Sequence, residues 1–441
     1  MAASLFDSPL HAQLFPTGET GRLFSDTASI RAMLLVEGAL AQVQGAQGVI
    51  PELSAAAIHR ATMEVQVDPG ALAQATGQNG VSVPGLIAAF RAEMKAPEHA
   101  QYVHWGATSQ DIIDTGLMLR LRQALALAET DLRALLTTLG QQAAEHAATP
   151  MPARTYSQHA TPTTWGAVLA GFGAPLLDAL AELNELRDSS LWVSLSGAAG
   201  TAEALGPHSA QTRKDLAKAL GLRDPERSWH TDRTPLLRIA DWQGRVITAL
   251  AHMGQTVIGL TATDVAEVGL ATAGASSTMP QKQNPVAASV LVALSHHAMG
   301  LQATLRMAGA HQHQRDGVAW FAEWLSLPQL SLTLASALIH ARALSEGIVP
   351  HPVQMHTQLE AHLGLIHAEA LSFALTATLP RPDAQRVTKT LCHEAMKQNV
   401  TLETLARQAH PDLPADLFDP GQRLGRAPAE AHAFAAKVAA L

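Results

Sequence analysis

From Ile113 to Ala143 the chain repeats apolar residues in steps of three and four: Ile113, Leu117, Leu121, Leu125, Ala128, Leu132, Leu136, Leu139, Ala143. The pattern persists until Thr149-Pro150. It places one apolar stripe along a helix of about 35 residues, or about 50 Å at 1.5 Å per residue. A helix of that length needs long partners, as in a coiled coil or a large bundle. Similar periodicity runs from Leu236 to about Leu270, from Pro285 to about Ala310, and from Ala319 to about Ala343. Hydrophobic residues make up 47% of the chain and aromatic residues only 4%, with alanine and leucine dominant, which favours helix over sheet. The expectation is an all-α fold built on a bundle of long helices.

The 441 residues allow two or three structural units. Residues 1–107 read as helices of ordinary length, one of them capped by Ser25-Asp26. Residues 108–350 carry the long stretches. Beyond Pro350, prolines at 352, 380 and 382 interrupt shorter helices, so residues 351–441 form a small C-terminal unit. Thr161-Pro162 reads as an N-cap and first helical position, opening a helix through Leu169 to Leu186 with a bend at Pro175. Pro328 implies a second bend.

The net charge of −8 argues against a nucleic-acid surface, and an anionic ligand needs a local basic pocket. Cys392 is the only cysteine, so intrachain disulfides are excluded and a reducing cytoplasm is the expected compartment. No uninterrupted apolar run approaches bilayer length, and the N-terminus lacks a basic region followed by an apolar core. His311 and His313 stand two apart, do not share a helix face, and have no further ligand at metal spacing, so no metal is expected. Gly171-Phe172-Gly173 lacks the third glycine and the preceding strand of a dinucleotide loop.

Three breaks between helices carry chemistry. Ala273 to Ala288 is a hydroxyl-rich loop with one lysine, Lys282, and it ends at Asn284-Pro285, an N-cap followed by the first position of a helix. Unpaired N–H groups and the positive dipole end make that terminus a place to hold an anion. His104 to Asp111 supplies the hydroxyls of Thr108 and Ser109 at the start of the longest helix, where they either meet a ligand or only cap orphan N–H groups. Arg154 to Gly166 is rich in donors, and Arg154, Gln158 and His159 can face an anion. A fourth stretch, Leu195 to Thr201, is a glycine-rich crossover.

Together these stretches resemble the three active-site regions of the fumarase/aspartase superfamily, and the likeness covers almost the whole chain. Ser276-Ser277-Thr278-Met279-Pro280-Gln281-Lys282-Gln283-Asn284-Pro285 looks like the signature loop of that superfamily. Thr108-Ser109-Gln110-Asp111 resembles the first region, and Arg154 to Gly166 the second. The resemblance implies Ser276, Lys282 and His159 as catalytic residues. It implies Thr108, Ser109, Gln110, Arg154, Gln158, Ser277, Met279, Asn284 and Arg315 around the substrate. Most lyases of the superfamily carry histidine directly after Arg-Thr in the second region; here Tyr156 stands there. The bacterial lactonising branch, the muconate cycloisomerases, also lacks that histidine and keeps Gln-His-Ala, here Gln158-His159-Ala160. Gln312 to Arg315 with Trp320, Glu323 and Trp324 is similar to that branch too. Ala275 replaces the usual glycine, and Gln281 and Gln283 flank Lys282 where histidine and arginine are more usual.

The resemblance implies a three-domain fold whose long helices form a 20-helix core in a homotetramer, with active sites shared between subunits. It implies a small polycarboxylate substrate, no cofactor, and chemistry through an aci-carboxylate, with either Ser276 or His159 delivering the proton. A fumarate-releasing lyase and a catalytically silent structural tetramer are the competing expectations.

Overall fold

The computed structural model describes residues 4–272, 274–275, 278–279 and 282–441. Helices dominate. α1 (Asp26–Ala46) and α2 (Glu52–Glu64) open the chain, and α3 (Ser109–Glu145) runs for 37 residues. α4 (Trp165–Ala181), α5 (Ser209–Leu220), α6 (Thr234–Leu260), α7 (Val286–Ala308) and α8 (Gly317–Gly347) follow. Every stripe position of α3 from Leu117 to Ala143 is buried, as the periodicity demands. Ser25 caps α1 by accepting the Ala28 N–H at 3.2 Å.

Strands among the described residues are short and paired in twos: β1 (Pro150–Thr155) with β2 (Gln158–Thr164), β3 (Val268–Leu270) with β6 (Ile348–Pro350), and β4 (Gly274–Ala275) with β5 (Gln283–Asn284), all antiparallel.

Contacts divide the chain into two units. The first comprises Met1–Asp131, Ala179–Thr248 and Ala293–Ile339; the second comprises Leu132–Asp178, Ala249–Val292 and His340–Leu441. The dividing points fall inside α3, α4, α6, α7 and α8. Helices this long acquire separate sets of neighbours along their length. In the first unit Met33, Leu34, Val36 and Leu40 of α1 are buried with Ile58 of α2. In the second, Trp165 and Phe172 of α4 stack edge to face at 6.4 Å between centroids, and both are buried. Residues beyond Pro350 hold a small core of their own around Leu371, Leu391, Leu402 and Leu417.

The expected helix start at Thr161-Pro162 is corrected. Thr161 and Pro162 lie inside β2, where Pro162 faces Pro152. A run of β-branched threonines suits the extended chain. Thr164 is the true cap: its hydroxyl accepts the Ala167 N–H at 3.1 Å, and α4 starts at Trp165. Gly166 is required there. A Cβ on it would stand 2.5 Å from the Ala143 carbonyl oxygen and 2.7 Å from the Ala147 Cα. The helix also stops at Ala181, and a separate one covers Leu183–Ser190. Gly173 is a packing residue within α4, set against the Phe434 ring.

Two segments, Trp165–Ser190 and Val286–Ala308, reach bilayer length and apolarity by composition, although each contains polar residues. Half of the most apolar window in the first is buried inside the protein, as in a core helix.

Candidate active site

In the first unit the site is built on the start of α3. Asp111, in the first helical turn, reaches back to accept the Thr108 N–H at 3.0 Å, which is one half of a capping box. Its buried carboxylate accepts four more bonds: Ser194 Oγ at 3.1 Å, Ser196 N–H at 2.9 Å, Gly197 N–H at 2.9 Å and His230 Nε2 at 2.8 Å. One side chain therefore fixes the helix start, the glycine-rich crossover and His230. Gly197 turns with φ +71°, the left-handed region that glycine enters without strain.

Gln110 is also fully buried. Its amide donates to the His230 carbonyl at 2.8 Å and to Asp114 at 3.2 Å, and its oxygen accepts from Arg315 Nε at 2.9 Å. It positions Arg315 and has no exposed surface for a ligand. Arg315 Nη2 also donates to the Ala198 carbonyl at 3.1 Å and the Thr108 hydroxyl at 3.4 Å. Arg315 is exposed and meets no carboxylate among the described residues, so its charge is available to an anion. The structure thus brings together Thr108, Gln110 and Arg315, with Ser109 half-buried beside them at the first position of α3.

Beneath this surface lies a buried ion triad. Arg233 pairs with Asp114 at 2.7 Å and with Glu323 at 2.7 Å. Burial alone would lower the Arg233 pKa, but Asp114 and Glu323 outweigh it and hold it above the ordinary value. Burial pushes the Glu323 carboxyl up against the pull of Arg233. The triad ties α3 and α8 to the residue that precedes α6 rather than facing a ligand, since all three side chains are almost fully enclosed.

In the second unit the β1–β2 hairpin turns at Tyr156-Ser157, with φ of +50° and +62°. Two positive values make a type I′ turn, which favours Asn-Gly, so Tyr-Ser holds it under strain. The Tyr156 side chain is fully exposed at the tip. Arg154 and Glu267 form a bidentate pair at 2.8 and 2.7 Å, with the Glu267 side chain fully buried. The Arg154 charge is thus already matched, and it acts as a strut for the hairpin.

Arg154 Nη2 also lies 3.3 Å from His159 Nε2. A guanidinium only donates, so this nitrogen accepts, and the proton of the neutral ring sits on Nδ1. Burial, then the charges of Arg154 and His362, hold the His159 pKa below the usual histidine value. His362 packs edge to face on the His159 ring at 5.4 Å between centroids. It belongs to a left-handed run, His362-Leu363-Gly364, with φ of +56°, +61° and +70°, which strains His362 and Leu363 but not the glycine. Arg154, Gln158, His159 and His362 share the wall of one cavity of about 670 Å³ with Asp264 and Gln358.

The signature loop leaves and returns through β4 and β5, in which Gly274 pairs with Asn284 and Ala275 with Gln283. Ser276 and Ser277 lie outside the described residues. Lys282 N–H donates to the Met279 carbonyl at 3.0 Å, and both side chains are exposed. Asn284 is half-buried at the end of β5. The Pro285 carbonyl accepts the Ser289 N–H at 3.0 Å, so Pro285 occupies the cap position and α7 begins one residue later than expected. The first turn of α7 has no acidic side chain of its own to offset the helix dipole.

A family profile described as Lyase matches residues 19–300. The chain belongs to this lyase family. It is 39% identical to the 3-carboxy-cis,cis-muconate cycloisomerase of Pseudomonas aeruginosa, over 97% of this chain and 94% of that protein. It is 33% identical to the nitrosuccinate lyase of Streptomyces davaonensis, over 97% and 94%. Among solved structures it resembles the 3-carboxy-cis,cis-muconate lactonizing enzyme of Pseudomonas putida, with a TM-score of 0.92 and 35% identity over 98% of this chain and 99% of that one. A fumarate lyase from Mesorhizobium sp. BNC1 superposes with a TM-score of 0.88 at 28% identity, covering 95% and 97%. The all-α lyase fold expected from the three stretches is therefore the fold of this chain.

Sequence reasoning missed Glu267, His362 and the hub role of Asp111. Asp111 closes the Thr108-Ser109-Gln110-Asp111 stretch, and its place three residues after Thr108 is a legible capping signal. Glu267 and His362 carried none, since each meets its partner only through folding.

Proposed function

We propose that this chain is a 3-carboxy-cis,cis-muconate cycloisomerase, an intramolecular lyase that forms 4-carboxymuconolactone in the protocatechuate branch of aromatic catabolism. The observation that carries the reading is the near-full-length likeness, in sequence and in structure, to proteins bearing that name. One substrate carboxylate adds across the substrate's own double bond. The new C–O bond pushes an electron pair onto a neighbouring carboxyl group, and the resulting aci-carboxylate takes one proton at carbon. The nucleophile is already in the substrate, so the protein selects the folded conformer and stabilises the developing charge.

Lys282, Asn284 and the open N-terminus of α7 are suited to the aci-carboxylate, and Arg315 with Thr108 and Ser109 to a second carboxylate. Ser277, Met279 and Gln158 complete the contacts in this reading. His159 is neutral, and its Nε2 lone pair is engaged by Arg154. Its free function is Nδ1–H donation, which suits binding rather than proton delivery. The proton step falls to Ser276, whose alkoxide Lys282 and backbone N–H groups stabilise.

The assembly in this reading is a cytoplasmic homotetramer in which the three stretches come from different subunits. Exposed Met299 and Met307 on α7, with Val318, Phe321 and Leu325 on α8, support burial of these helices against other copies. A single cysteine fits a reducing compartment.

The test is incubation with 3-carboxy-cis,cis-muconate while following loss of diene absorbance. Decay with the wild type and at least a hundredfold slower decay with Ser276→Ala is the expected result, within the range for a proton-transfer group. No decay with the wild type refutes the proposal. The likeness to a nitrosuccinate lyase favours a second reading, cleavage of a substituted succinate with release of fumarate. Fumarate production from argininosuccinate or adenylosuccinate distinguishes it.

A further inference from the structure

We propose that the groove lined by Arg31, Arg120 and Arg122 is a second anion site, for a small organic polyanion bearing carboxylate or phosphate groups. The groove encloses about 420 Å³ in the first unit. Arg31 projects from α1, Arg120 and Arg122 from α3, and His59 from α2. No aspartate or glutamate lines it. None of the residues assigned to the reaction lines it either.

Each arginine spends part of its donor set on a main-chain carbonyl at a helix end. Arg31 Nη1 donates to the Thr62 carbonyl and Nη2 approaches Met63 Sδ at 3.4 Å. Arg120 Nη1 donates to Leu23 O at 3.5 Å, and Arg122 Nη1 to Gly221 O at 2.9 Å as well as to Leu220 O. A helix C-terminus offers only a partial negative charge. None of the three forms an ion pair among the described residues, and the one carboxylate acting on Arg120 is Asp26, without a hydrogen bond to it. Burial, opposed by Asp26, lowers the Arg120 pKa to about 10.

Among the described residues, Arg120 Nε and His59 Nδ1, on two of the residues that line the groove, are buried without a hydrogen-bond partner. Buried polar atoms are normally satisfied, so Arg120 Nε, which can only donate, lacks an acceptor beside three guanidinium groups that form no ion pair among the described residues. The chain as a whole carries a net charge of −8, so unpaired arginines here do not reflect a shortage of carboxylates. The guanidinium fork matches carboxylate and phosphate oxygens in pairs. Leu23, Leu35, Leu119 and Leu220 form an aliphatic wall for the hydrocarbon part of the ligand. The volume lies within the range of small-molecule pockets, about 300–1,000 Å³.

The test is calorimetric titration of the full-length protein at low ionic strength, where screening is weakest. One arm uses citrate and the other pyrophosphate, each against wild type, Arg31→Gln and Arg122→Gln. Saturable binding in at least one arm is expected, weakened about tenfold or more by each substitution, as for loss of a charge-assisted bond. Turnover of substrate without added anion stays within about twofold of wild type, since neither arginine belongs to the reaction. Binding in only one arm identifies the ligand as carboxylate or phosphate. Absence of saturable binding in both arms overturns the proposal. Affinities unchanged by both substitutions also overturn it, because the anion then binds elsewhere.

Discussion

Glu267→Gln tests whether the Arg154 strut holds the hairpin that carries Gln158 and His159. The wild-type pair makes two charge-assisted bonds, at 2.8 and 2.7 Å, and the Glu267 side chain is fully buried. Glutamine keeps one acceptor and sets its amide N–H₂ against an arginine that can only donate. Breaking a buried ion pair costs about 3–5 kcal/mol. Arg154 is 22% exposed, so water recovers part of its solvation and the low end applies, about 3 kcal/mol. If the second unit, roughly 200 residues, unfolds cooperatively, its unfolding entropy near 2 cal/mol/K per residue converts this to about 7 °C in Tm. Scanning calorimetry measures the shift, and the diene assay measures the accompanying fall in kcat/KM. The double variant Glu267→Gln/Arg154→Met recovers part of the Tm loss but not the activity, because the buried charge is gone while His159 has lost its partner. A Glu267→Gln protein that melts within about 1 °C of wild type with unchanged kcat/KM refutes the strut.

Asp111→Asn places an amide among five donors, and a loss of about 3 kcal/mol is expected from denaturant unfolding. Gly166→Ala forces a Cβ onto the backbone at Ala143 and Ala147, and a fall of about 1–3 kcal/mol in the same measurement is expected. The depressed pKa of His159 sets the sign of a pH effect. Below the unfolded value near 6.5 the unfolded chain takes up a proton that the folded ring still refuses, so stability falls as pH drops through that value. His159→Gln removes this contribution, so the Tm-versus-pH curve of the variant is flatter than that of the wild type between about pH 7.5 and 5. A steeper curve for the variant contradicts the assignment.

Local chemistry was legible in the chain itself. Steps of three and four along α3 placed its buried stripe correctly because a helix repeats every 3.6 residues whatever surrounds it. The Ser25 cap and the Lys282 loop ahead of α7 were readable for the same reason: each rests on neighbours within a few residues. The three candidate stretches stood out because loops between long helices have no packing need for Lys, Asn or paired hydroxyls.

Tertiary structure decided what depends on distant partners. Proline and threonine at 161–164 satisfy both a helix start and an extended strand, and pairing with residues 150–155 selected the strand. Arg154 reads as a cation that can face an anion, and the fold adds Glu267, 113 residues away, as its partner. The internal partners of Gln110, His230 and Arg315, became visible only in the fold. The tautomer of His159 follows from one guanidinium reaching its Nε2. The chain encodes which groups are present, but a polar group's role depends on which partners burial leaves it, and only the fold assigns them.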